Sequence, residues 1–181
     1  METAEHGDGG GSPAIRDGSS DDRLSILDTL YAYCQALDYG DVNLGLACFT
    51  QGGTIRFHLL QDQRGARSAD GGYRIGPTYE SHEGIARFLA GHSSAPFKYH
   101  KHFVLNTRIA FHRDDRATAV SYMLRCDDLH NPSMEVYAFG RYHDQVVRES
   151  DRAWRIEHRI IEVEALHASR LPTTESEPPY V

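Results

Sequence analysis

Asp38 falls inside the apolar arc of the first long helical pattern, where an ionised side chain is costly unless another group answers it. That pattern runs from Asp21 to Tyr39, with Leu24, Ile26, Leu27, Leu30, Tyr31, Cys34 and Leu37 at helical spacing and Asp38 between Leu27 and Tyr31 on the wheel. Groups able to answer it lie in a later β-pattern. There His100, His102, Val104 and Asn106 share one face, and Tyr99, Phe103, Leu105 and Ile109 the other. Two arrangements compete. Either Phe103 and Leu105 face the core and the histidines face water, or a curved sheet turns its polar face into a pocket where a histidine meets Asp38. In the second case the imidazole exchanges protons near neutral pH, while the carboxylate on its other nitrogen fixes the tautomer and steadies the imidazolium. This is the orienting half of a catalytic triad without its nucleophile.

Other chemistries find less support. No Ser or Cys stands in a nucleophile-elbow setting, and no glycine-rich phosphate loop is visible, so neither acyl transfer nor a nucleotide cofactor is expected. A metal site built on His100-Lys101-His102 wants a Glu four residues after the second His. Asn106 stands there instead, and His143 is the sole loose candidate for a third imidazole, so no metal and no cofactor are expected. Tyr33, at the edge of the helical arc, either aims its hydroxyl into the same interior or anchors the core. On a later strand Arg141 and His143 share one face, Tyr142 and Asp144 the other; alternation does not say which pair points inward.

The elements that must position these groups follow from the pattern. Residues 1–20 are rich in Gly, Ser and Asp and read as a disordered tail; 21–167 form one α+β domain; 168–181 read as a flexible C-terminal tail. Ser19 or Ser20 caps the first helix and Gly40 stops it. A short helix follows from Asp41 to Phe49, Gly52-Gly53 turn the chain, and a strand covers Thr54 to Leu60. Residues 61–77 read as a long polar loop with the makings of a lid, and Ser81 to Ala90 as a helix burying Ile85, Phe88 and Leu89. Four strands then alternate: Tyr99–Phe111, Ala117–Asp127, Met134–Val147 and Trp154–Leu166. That order gives an α+β fold with helices on one face of a mainly antiparallel, strongly curved sheet around one deep pocket.

Composition narrows the partners. Nineteen Lys plus Arg against 26 Asp plus Glu give a formal charge of −7, and the basic residues form no stripe, so no nucleic-acid partner is expected. No apolar run reaches the length of a membrane span, and no membrane partner is expected. Three unpaired cysteines, Cys34, Cys48 and Cys126, read as reduced core residues of a cytoplasmic protein.

Several segments, in this order and spacing, resemble the SnoaL-like branch of the nuclear transport factor 2-like superfamily over residues 21–165. They are LYAYCQALDYGDVNLGLACFT with Asp38, the GIARFL helix, the strand from His102 to Asn106, GRYHDQVVR and the closing AWRIEHR. The resemblance implies a cone-shaped barrel enclosing one pocket, in a group that includes scytalone dehydratase, bile-acid dehydratase, a dehydrochlorinase and polyketide cyclases. It implies that Asp38 and His102 form a proton-transfer dyad assisted by Tyr33, and that Phe57, His100, Asn106, Arg141 and His143 contact the substrate. Phe57 stands where dehydratases of the group place a tyrosine. The implied activity is a cofactor-independent lyase of dehydratase type acting on a small, mostly apolar ring compound. A cyclase or isomerase with the same dyad is the near alternative; a small-molecule binder or dioxygenase β-type subunit is the non-catalytic one. A homodimer or trimer is expected.

Overall fold

The computed structural model describes residues 18–60, 72–128 and 134–166; residues 1–17 of the expected N-terminal tail, the expected C-terminal tail and most of the expected lid lie outside them, while Ser20, assigned to the tail, opens the first helix. Three helices come first, interleaved with two strands: α1 (Ser20–Tyr39), α2 (Val42–Ala47), β1 (Phe49–Leu59), β2 (Arg74–Glu80) and α3 (Ser81–Gly91). Four long strands follow, β3 (His100–Arg113), β4 (Arg116–Asp128), β5 (Met134–Arg148) and β6 (Trp154–Leu166). They make one curved sheet in the order β2-β1-β6-β5-β4-β3. Only the β1–β6 contact among these is parallel; the other four are antiparallel hairpin or neighbour pairings. The α+β expectation holds. No helix among the described residues is long and apolar enough to cross a membrane.

Helix α1 begins at Ser19, whose hydroxyl accepts the Asp22 main-chain N–H at 3.1 Å, and ends at Gly40, with φ of 71°. A left-handed residue there lets the Gly40 N–H reach back to the Ala36 carbonyl and stops the helix directly after Asp38 and Tyr39. The buried stripe is Ile26, Leu30, Tyr33, Cys34 and Leu37, whereas Leu24 and Tyr31 face solvent. The apolar arc is therefore rotated from the one expected, and Tyr33 lies at its centre rather than its edge. Hydrogen bonds fasten the helix to β6: Thr29 Oγ1 donates to the Trp154 carbonyl at 2.8 Å, and Trp154 Nε1 donates to Asp22 at 3.0 Å.

Two segments expected outside the sheet belong to it. Gly52 and Gly53 lie within β1, and residues 74–77, assigned by composition to the loop, open β2, which pairs with β1 from Leu59↔Arg74 to Thr54↔Glu80. β2 is a mostly exposed edge strand, which accounts for its polar, glycine- and proline-containing sequence.

Candidate active site

Helix α1 carries Asp38 into the interior in its last turn, with the residue 4 % exposed. The place is doubly unfavourable for a carboxylate: apolar neighbours penalise the charge, and a helix C-terminus carries the negative end of its dipole. Strand β3 compensates. The main-chain N–H of His102 donates to Asp38 Oδ1 at 3.1 Å, and ring atom Nδ1 lies 2.8 Å from that oxygen. A carboxylate oxygen that accepts one N–H accepts the other, so Nδ1 bears the proton and Nε2 presents its lone pair. Burial raises the Asp38 carboxyl above its ordinary value; the His102 N–H and the Lys101 ammonium, 3.7 Å from Oδ2, pull it back. Burial first, and the Arg125 charge second, hold the His102 ring well below the usual histidine range. The pair is a carboxylate and a neutral imidazole.

Phe103 and Leu105 are 39 % and 42 % exposed, so the histidine face of β3 is the inward one. His102 and Tyr33 line a cavity walled by Leu37, Phe57, Phe88, Ile161, Val163 and Leu166. Its free space of about 50 Å³ is room for a few waters. Asp38 stands behind His102, away from the lining.

Tyr33 is fully buried, and its hydroxyl, close to the Arg159 guanidinium, makes no hydrogen bond of good geometry among the described residues. Its ring is held from behind: the Arg159 guanidinium packs 4.2 Å from it and 4.4 Å from the Tyr142 ring, gripped by Asp144 at 2.7 and 2.9 Å. Burial raises the phenol pKa, so Tyr33 is a hydroxyl donor at any physiological pH. His100 is buried beside the dyad, its Nε2 3.7 Å from Asp38, with neither ring nitrogen hydrogen-bonded among the described residues.

Of the five expected contacts only Phe57 lines the cavity; His100 stays beside the dyad, and the other three lie farther off. Asn106 is exposed and has φ of 51° at a bulge between Leu105 and Arg108, which breaks the alternation that put it beside His102. Arg141 and His143 occupy the outward face of β5 because Tyr142 and Asp144 take the inward one. Arg141 Nε is 2.8 Å from Glu162 and 3.1 Å from Glu164, and His143 is 3.8 Å from Glu162.

Three other residues complete the polar end of the cavity. His92, the residue that ends α3, lines it with both ring nitrogens buried and unpartnered, and burial pushes its pKa down to about 2. Arg125 lines it from β4, facing His102 across the β3–β4 register. Asp127 holds that guanidinium through Nε at 2.7 Å and Nη2 at 3.2 Å, and also takes Lys98 at 3.1 Å. Burial raises the Asp127 carboxyl, but the Arg125 hydrogen bonds and charge outweigh it and leave the pKa lowered. A sequence signal for the pair existed: Ala117, Ala119, Ser121 and Met123 alternate inward along β4, and Arg125 and Asp127 continue the same face.

His92, His100 and His102 each offer a nitrogen within 4.8 Å of the others, which raises the question of a metal. The surrounding charge opposes one. Arg125 acts on all three rings, with Lys98 or Lys101 adding to it, and the two nearest carboxylates are already engaged by His102, Arg125 and Lys98. The cluster suits hydrogen bonds to a ligand better than it suits a dication.

Comparison with known proteins agrees with the fold. The sequence profile described as the SnoaL-like domain matches residues 18–160. Among solved structures, ActVI-ORFA from Streptomyces coelicolor is 22 % identical with a TM-score of 0.63, covering 80 % of this chain and 98 % of its own. A candidate scytalone dehydratase from Novosphingobium aromaticivorans is 17 % identical with a TM-score of 0.59, covering 82 % and 87 %. The β subunit of a candidate aromatic-ring-hydroxylating dioxygenase from the same organism is 15 % identical with a TM-score of 0.66, covering 81 % and 92 %. At these identities the likeness is one of fold. No curated protein matches the chain.

Proposed function

The chain belongs to the SnoaL-like domain family, and from that premise and the geometry of its cavity we propose that it is a cofactor-independent lyase of the dehydratase type. Its substrate is a small, mostly apolar ring compound. His102 Nε2 takes a proton from a carbon made acidic by a neighbouring carbonyl or aromatic ring. The electron pair of that C–H bond becomes the new double bond as the C–O bond breaks, and His102 returns the proton to the departing hydroxyl, which leaves as water. Asp38 keeps Nδ1 protonated and balances the imidazolium formed midway. Tyr33 donates its hydroxyl to the oxygen on which negative charge develops. The reaction is redox-neutral and needs no cofactor. Ring closure or double-bond migration uses the same first proton transfer, so product analysis separates a dehydratase from a cyclase or isomerase.

The Asp38–His102 contact carries this reading. General acid–base catalysis is typically worth about 10²–10⁴-fold, so His102→Ala should lower turnover of hydroxylated ring ketones by that factor with the fold intact by circular dichroism. Full turnover in that variant would end the proposal.

A second reading has its own support. Phe103, Leu105, Tyr122 and Phe139 expose an apolar patch on the outward face of β3–β5, suited to a second copy of this chain or to a larger subunit. The likeness to a dioxygenase β subunit favours the latter. A scaffold has no need of the buried dyad, and we take the patch as a homodimer contact. Recovery of the chain as a stable protein only together with an iron-containing subunit would favour the scaffold.

A further inference from the structure

Among the described residues that line the cavity, Arg125 alone carries a permanent charge; the rest are apolar, phenolic or imidazole. A guanidinium 5 % exposed at the polar end of an otherwise neutral pocket is costly unless an anion meets it. Asp127 meets only one edge. It takes Nε–H and one of the two Nη2 N–H groups, and the end-on edge of Nη1 and Nη2 makes no other hydrogen bond among the described residues. Beside it His92 has two buried, unpartnered ring nitrogens, one of which bears a proton in the neutral ring. The open guanidinium edge and the His92 ring both belong to the lining of the cavity where ligand atoms would sit.

We propose that the substrate carries a phenolic or enolic oxygen that binds as an anion on Arg125 Nη1, with His92 as a second donor. Asp127 occupies the side-on edge of Nε and Nη2, so a ligand oxygen meets the end-on edge. The apolar wall favours a ring-borne oxygen over a carboxylate there, because a phenolate or enolate spreads its charge into the carbon frame and costs less to bury. The apolar wall of Leu37, Phe57, Phe88, Ile161, Val163 and Leu166 then receives the ring. Asp127 positions the guanidinium and is shared with Lys98, which limits how far it neutralises Arg125. The other ionisable groups near this point are His102, backed by Asp38, His100, Tyr33, Tyr137 and Glu135, the last opposite Asp127 in the β4–β5 register. This inference rests on the cavity being the substrate site.

The test is a binding titration with 4-nitrophenol at a pH one unit below its solution pKa, read by the nitrophenolate absorption band. The bound probe should be ionised, and should bind about 10–100-fold more tightly than nitrobenzene, the range of one charge-assisted hydrogen bond. 4-Nitrobenzoate should bind more weakly than 4-nitrophenol. Arg125→Met should abolish the bound nitrophenolate band, Arg125→Lys should keep part of it, and His102→Ala should keep it while losing turnover. Binding of neutral nitrophenol, equal binding of nitrobenzene, tighter binding of nitrobenzoate, no binding, or an unchanged band in a folded Arg125→Met protein would each overturn the proposal. Should Arg125→Met fail to fold, the three probes on the unaltered protein decide. Loss of the nitrophenolate signal alongside a turnover still dependent on His102 would remove this inference and leave the proton-transfer reading standing.

Discussion

Asp38 Oδ1 accepts two N–H groups from one residue, the main chain of His102 at 3.1 Å and its imidazole Nδ1 at 2.8 Å. The first contact fixes the carboxylate against β3, and the second fixes the ring. Asp38→Asn tests whether the charge of this side chain, beyond its acceptance of the two N–H groups, is what matters. The amide oxygen at that position still accepts both N–H groups and keeps the Nδ1–H tautomer, but the neutral side chain no longer balances the imidazolium formed during proton transfer. The expected result is a fall in turnover of about 10²–10⁴-fold with little change in substrate affinity, checked by steady-state kinetics.

Acid should weaken the fold through the same cluster. His92, His100 and His102 all have pKa values depressed from 6.5 by burial, first of all causes, so the unfolded chain binds protons that the folded one refuses. Stability is then full above about pH 6.5 and falls below it, by up to about 1.4 kcal/mol per pH unit for each histidine kept neutral. Asp38 acts oppositely: its raised pKa returns some stability only when the folded-state carboxyl protonates, at lower pH. Urea midpoints between pH 7 and 5 check the slope, and His92→Gln should reduce it by one proton.

The Arg159–Asp144 pair is buried at 0 % and 2 % exposure, with bonds of 2.7 and 2.9 Å. Its burial lowers the Arg159 pKa, but Asp144 more than restores it, so the pair stays charged. Asp144→Asn should cost about 3–5 kcal/mol by leaving an uncompensated guanidinium among Tyr33 and Tyr142. Arg159→Met combined with Asp144→Leu should recover much of that, as measured by denaturant unfolding.

Arg141 provides the control. It pairs with Glu162 and Glu164 on the outward face of β5, away from the cavity. Arg141→Ala should leave turnover unchanged and shift stability by less than about 1 kcal/mol. A large loss of turnover there would contradict the placement of the site.

Much of this was readable from residue order because an ionic side chain on an apolar face is a conspicuous break. Asp38 showed itself that way, and Arg125 and Asp127 break the inward row of Ala117, Ala119, Ser121 and Met123 in the same manner. Four things escape for physical reasons. Apolarity does not fix which part of a broad arc faces inward, so Leu24 and Tyr31 looked buried and Tyr33 looked marginal. Period-two reasoning fails beyond a bulge, which displaced Asn106. His92 owes its role to α3 ending where the sheet closes over it, a long-range consequence with no local pattern. β2 was hidden because an edge strand needs little apolar sequence once β1 supplies its hydrogen bonds.

The most direct measurement is the nitrogen chemical shifts of the His102 imidazole, followed by NMR on ¹⁵N-histidine-labelled protein from pH 7.5 to 5. The expected spectrum is a neutral ring protonated at Nδ1 throughout that range, converting toward the Nε2–H form in Asp38→Ala, which removes the acceptor. A His102 ring that titrates near its ordinary value, or that carries its proton on Nε2 in the unaltered protein, would contradict a base held ready by Asp38.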